Sequence, residues 1–184
     1  MRITKDIPYG SNGMHLDLYA PDQDGFDTLI WFHGGGFEAG SRRDEEPLAE
    51  SVTALGLGFA SVEYRMFPSA RFPDFLLDAA WSVAFLQKHG QDCGCGGRFV
   101  ISGQSAGAYI TMMLALNGAL LHNAGVDETS ILAYVSESSQ QTTHYNMLRQ
   151  RGIDSRAERI DEEAPLYYVG QRPLTKPLLL IYNA

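Results

Sequence analysis

The stretch VISGQSAGAYI, residues 100–110, decides how this chain reads. Its first residues are apolar and β-branched, and Val100–Ser102 finish a strand. Ala106 begins a helix, so Ser105 falls on a sharp strand-to-helix bend at the centre of a G-x-S-x-G pentapeptide. Gly103 and Gly107 flank the serine because larger side chains would collide with neighbouring backbone. Such a bend lifts the hydroxyl above the sheet and sets it at a helix N-terminus, where the dipole and free N–H groups favour developing negative charge. A serine so placed is a candidate nucleophile toward a carbonyl carbon. The pentapeptide alone also suits an N-cap serine or a phosphate-loop residue, so its surroundings must choose.

Outward from the bend, short apolar runs alternate with longer helical patterns. MHLDLYAP alternates like a half-exposed strand, and TLIWFHGG, FASVEYR, RFVISG, ILAYVS and PLLLIYN read as buried strands. EEPLAESVTALG and DFLLDAAWSVAFLQKHG are helices that stop at a glycine, the second with Leu76, Ala80, Val83 and Phe85 or Leu86 on one face. SAGAYITMMLALNGALL is apolar almost all round and predicts one buried central helix, while TTHYNMLRQRG is a shorter, more polar one. The alternation predicts an α/β fold: a doubly wound, mostly parallel sheet with helices on both faces, forming a single domain over residues 1–184. Ligands of such sheets bind at the carboxyl ends of the strands, where Ser105 falls.

A second motif lies at that end. FHGGGFEAG follows the strand Leu29–Phe32, and its run of three glycines lets the backbone approach a substrate and aim N–H groups at one point. A carbonyl under attack becomes a tetrahedral oxyanion, and each preorganised donor lowers that barrier by about 3 kcal/mol. Gly35 and Gly36, with Ala106 just after the nucleophile, are the candidate oxyanion donors. His33 precedes the glycines and is expected to pin the loop through a backbone hydrogen bond rather than act as the base.

Composition narrows the partners. The chain has 184 residues, 45% of them apolar and 20% charged, with net charge −8 and no basic cluster. Nucleic acid and anionic membrane surfaces both call for concentrated Lys and Arg, so neither is expected. The segment MRITKDIPYG lacks the apolar core of a signal peptide, and no run approaches a membrane span. The only cysteines, Cys93 and Cys95, stand two apart in DCGCGG, which suits reduced thiols better than a disulfide framework or a zinc site. A cytoplasmic protein with a small-molecule substrate and neither metal nor cofactor is expected.

With both motifs placed, the chain resembles the α/β-hydrolase superfamily, in its HGGG-type esterase branch near the hormone-sensitive-lipase-like and small acyl-esterase families. His33–Gly36, the segment VEYRMFPSARFPDFLLDA and Gly103–Gly107 carry the resemblance, with Glu63 where the family usually has Asp. It extends from about Met14 to the end of the chain. It implies a serine hydrolase of short-acyl carboxylic esters working through an acyl-enzyme on Ser105. An arylformamidase-like amide hydrolase and a non-catalytic binding module on the same fold are the alternatives. Tyr64, Arg65 and Asp78 are expected to be structural. Residues 137–165 depart from the commoner lipases and suit a small cap over the site, where selectivity would reside.

Superfamily order is nucleophile, acid, histidine. The acid is expected just beyond PLLLIYNA, which ends at Ala184, and the histidine one strand later, so neither expected position falls within these residues. Within the chain, Glu137 after ILAYVS is the substitute for the acid and His144 the substitute for the base, each with a bland alternative: an exposed carboxylate and a solvent-facing helix residue. An apolar strand left at a sheet edge would offer bare side chains and unpaired backbone groups. A homo-oligomer contact or a further C-terminal segment is therefore expected beside it. The chain alone, without the acid and histidine, is expected to have little or no turnover.

Overall fold

The computed structural model describes residues 1–182. Asn183 and Ala184, at the end of the stretch read as PLLLIYNA, lie outside the described residues. The strands are β1 (Arg2–Pro8), β2 (His15–Ala20), β3 (Phe26–Phe32), β4 (Gly58–Val62), β5 (Cys95–Gln104), β6 (Ile131–Glu137) and β7 (Leu178–Ile181). The helices are α1 (Glu46–Ala54), α2 (Asp74–His89), α3 (Ala106–Leu116), α4 (Gly118–Asn123) and α5 (Tyr145–Gln150). All seven strands form one sheet in the order β1-β2-β4-β3-β5-β6-β7. β1, β2 and β4 pair antiparallel; from β4 through β3, β5 and β6 to β7 every pairing is parallel. The sheet is the mostly parallel one that the sequence pattern predicts.

Period-2 alternation along β3 divides the core. Ile30 and Phe32 face a large cluster with Leu76, Val83, Tyr109 and Met113 of α2 and α3, whereas Trp31 points the other way to Tyr19, Phe59 and Ala49 of α1. Helices thus cover both faces, unequally. In α3 every residue from Ala106 to Ala115 is buried, as its all-round apolar character requires. Leu86, not Phe85, completes the buried stripe of α2; Phe85 is half-buried and lies 5.0 Å from His89, ring to ring.

Several local readings differ from the structure; β2, read as half-exposed, is buried from Leu16 to Ala20. β1 was not expected, because RITKDIP has only Ile3 and Ile7 as large apolar residues, set among charged ones; it is an exposed edge strand with no continuous apolar face to reveal it. The predicted central helix is two, broken where Asn117 leaves helical geometry and its side chain caps the Ala119 N–H. Gly90 does not stop α2 with a left-handed turn; its φ is −61°, a 3-10 turn follows, and Gly94 at φ 91° makes the reversal. The strand read as FASVEYR ends at Val62, since Glu63, Tyr64 and Arg65 turn to polar partners. β7, read as a buried strand, instead exposes Leu179, Leu180 and Ile181, because it ends the sheet on its side among the described residues. Among the described residues no helix is long and apolar enough to cross a membrane.

Candidate active site

Ser105 sits between the last residue of β5 and the first of α3 with φ 54° and ψ −112°, a conformation that L-residues avoid. Close packing imposes it. A side chain on Gly107 would be driven into the Phe32 carbonyl oxygen of β3, and one on Gly103 into the backbone of Gly107. Helix α3 can approach the sheet this closely only because both positions lack a Cβ. The Ser105 N–H donates to the Glu137 carbonyl at 2.8 Å, which ties the bend to the end of β6. The side chain stays half-exposed, with its backbone held.

The HGGG loop leaves β3 beside this bend, because Phe32 and Gly103 are register partners. Gly35 and Gly36 have φ of 116° and 63°. Among the described residues the N–H groups of Gly35, Gly36 and Ala106 donate to no protein acceptor. Three uncommitted amides on two segments that flank one serine can serve an anion.

His33 is buried, with Nδ1 2.7 Å from the Gly34 carbonyl and Nε2 3.1 Å from a Glu63 carboxylate oxygen. Its ring stacks on Tyr64 at 4.4 Å. Tyr64 donates its hydroxyl to the His33 carbonyl at 2.7 Å; burial pushes that hydroxyl's pKa up, so it remains a donor. Burial also pushes the Glu63 carboxyl up, but hydrogen bonds from His33 and Arg42 outweigh it and hold Glu63 below the ordinary carboxylate range. His33 therefore has both ring nitrogens engaged in holding the base of the loop. Arg65 grips the fully buried Asp78 carboxylate with two nitrogens, Nε and Nη2, each at 2.8 Å. That pair fixes the segment after β4 to α2, away from Ser105.

Side chains that the sequence reading did not single out hold the far side of the loop. Phe37 adopts φ 64°, is 1% exposed, and stacks on Phe75 at 4.2 Å. Glu38 pairs with Arg149 of α5. Tyr145, the first residue of α5, brings its hydroxyl against Gly36, where a side chain on that glycine would otherwise lie. The aromatic after three glycines was the one visible signal, since a bulky apolar residue in a loop needs a pocket.

Glu137 and His144 are not joined. Glu137 ends β6 half-buried, next to Gln104 in register. His144 does not face solvent as a polar helix residue would; it is 2% exposed, packed between Phe37 at 4.8 Å and Tyr145 at 4.2 Å. Its Nδ1 accepts the Asn146 backbone N–H at 3.2 Å and caps α5. Burial, opposed weakly by Glu38, pushes its pKa down to about 4. No hydrogen bond links Ser105 Oγ, His144 and Glu137 among the described residues.

A cavity of about 650 Å³ opens at the other end of β3, lined by Met1, Pro21, Phe26, Thr53 and Gly56. It contains none of the residues described above. Among the described residues no three His, Cys, Asp or Glu side chains gather closely enough to hold a metal ion.

The BD-FAE family model matches residues 16–148 of the chain. Lipase 2 of Moraxella sp. (strain TA144) is 36% identical over 90 residues, covering 48% of this chain and 21% of that protein. Hormone-sensitive lipase of Homo sapiens is 34% identical over 93 residues, 50% of this chain and 9% of that protein. The chain thus spans only a small part of these curated relatives. Esterase B from Lactobacillus Rhamnosis (HN001) superposes with a TM-score of 0.78 at 18% identity, covering 97% of this chain and 64% of that one, a likeness of fold.

Proposed function

We infer, since this chain belongs to the BD-FAE family, that the protein carrying it is a serine carboxylic-ester hydrolase acting on short acyl esters. The observation that carries this reading is Ser105, bent to φ 54° beside three amides that donate to no acceptor among the described residues. Relatives named as lipases support it. So does the crowding of the oxyanion loop by α5, which favours a small substrate.

In the proposed reaction Ser105 Oγ forms a bond to the ester carbonyl carbon, and the carbonyl π electrons move to oxygen. The resulting oxyanion is held by the N–H groups of Gly35, Gly36 and Ala106. Collapse breaks the bond to the alkoxy group, which leaves as the alcohol carrying the serine's proton. Water then adds to the acyl-enzyme, releasing the carboxylic acid and restoring the hydroxyl. His33 keeps the loop in register and takes no proton, since both its nitrogens are occupied. His144 is assigned to the packing behind the loop, because its Nδ1 lone pair already holds the Asn146 amide.

Incubation with a fluorophosphonate probe, followed by p-nitrophenyl acetate hydrolysis, tests the reading in the protein at its full encoded length. Label and turnover should both vanish in Ser105→Ala. Turnover that survives the substitution removes Ser105 from the chemistry. A wild-type protein that binds esters, takes no label and turns nothing over is a binding module. Faster cleavage of N-formyl anilides than of acetates makes it an amidase.

A further inference from the structure

Three neighbours on one short segment meet three neighbours on the oxyanion loop: His144 packs on Phe37, Tyr145 reaches Gly36, and Arg149 pairs with Glu38. Two of these contacts are self-contained. The His144 ring is buried, and the Arg149 guanidinium is met by a carboxylate. The third is not. The Tyr145 hydroxyl donates to no group among the described residues, its residue is 39% exposed, and it occupies the space that a side chain on Gly36 would fill. From covalent geometry, its Oη lies within about 4.5 Å of the Gly36 nitrogen. Donors that close can converge on a single oxygen at about 2.9 Å from each.

We propose that the Tyr145 hydroxyl is a further oxyanion donor, supplied by the segment after β6 rather than by the loop or the nucleophile bend. The inference rests on the serine-hydrolase reading above and adds a catalytic group to it. The ring is held for the task by packing tilted against His144, with ring centroids 4.2 Å apart, so the hydroxyl need not be ordered as the reaction proceeds. Gly36 is then a glycine for two reasons: its φ of 63°, and the room that the phenol needs. A donor to the oxyanion binds the tetrahedral state more tightly than the planar ester, so its loss belongs in kcat and not in KM.

The experiment compares wild type, Ser105→Ala and Tyr145→Phe at full encoded length on p-nitrophenyl acetate. It also measures inhibition by an alkyl trifluoromethyl ketone and thermal melting. Tyr145→Phe keeps the ring and its packing on His144. The expected result is a fall in kcat of about a hundredfold to a thousandfold with KM nearly unchanged. The ketone should weaken by a similar factor, with no change in melting temperature. Unchanged kcat in Tyr145→Phe, while Ser105→Ala is dead, overturns the inference and leaves the hydrolase reading standing. A change confined to KM, or a kcat loss without weaker ketone binding, also overturns it, since the phenol would then only shape the site. If wild type shows no Ser105-dependent hydrolysis, both fall together.

Discussion

Truncating Phe37 to alanine and to glycine should cost nearly the same stability, which is unusual for a buried aromatic. Phe37 is 1% exposed and stacks on Phe75, so removing the ring costs about 3–5 kcal/mol in either case. At an ordinary backbone angle glycine would be worse than alanine by about 0.5–1 kcal/mol of chain entropy. The lost methyl would add about 0.8 kcal/mol. Position 37 is not ordinary. Its φ of 64° burdens any L-residue with about 1–2 kcal/mol, which glycine escapes. The opposing contributions cancel to within about 0.5 kcal/mol, the spread expected between Phe37→Ala and Phe37→Gly. Phe75, in helix α2 and 2% exposed, is the control, where glycine should be worse than alanine by about 1.5 kcal/mol. Urea denaturation of the four variants, extrapolated linearly, reads both differences. A gap at position 37 as wide as that at 75 would mean the loop backbone is not held left-handed, and the aim of the Gly35 and Gly36 amides would lose its structural basis.

Two further outcomes follow from the same site. Gly107→Ala should destabilise by about 3 kcal/mol, because the new methyl meets backbone of β3 that cannot swing away; denaturant midpoints measure it, and residual folded protein should take no phosphonate label. Burial holds the His144 imidazole at a pKa of about 4, below its ordinary 6.5, so between those values the unfolded chain binds more protons than the folded one. Stability should therefore fall as pH drops from 7 to 4, with His144 contributing about 3 kcal/mol of that fall. Denaturation curves for His144→Phe at several pH values should be flatter by that amount; an unchanged slope would mean the ring is solvated.

Helix and strand periodicity, read from residues 1–184, was enough for the mostly parallel sheet. The pattern worked because burial on both sides of a parallel strand leaves an unbroken apolar run, as in β3, β5 and β6. It failed at β1, whose exposed residues carry no such trace. The bend at Ser105 was equally legible, since Gly103 and Gly107 answer a clash that any larger side chain would create in this fold.

What the residue order alone determined is therefore the part governed by neighbours in sequence: element type, the bend at Ser105, and the glycines after His33. Only the folded chain decided which distant side chains support them. Phe37, Glu38 and Gly36 meet His144, Arg149 and Tyr145 across more than a hundred residues, and no periodicity encodes that pairing. Packing of α5 against the loop brings the six together. It also turns His144 from a candidate base into a buried, neutral cap, because burial and the Asn146 amide act on its ring only after the chain has folded.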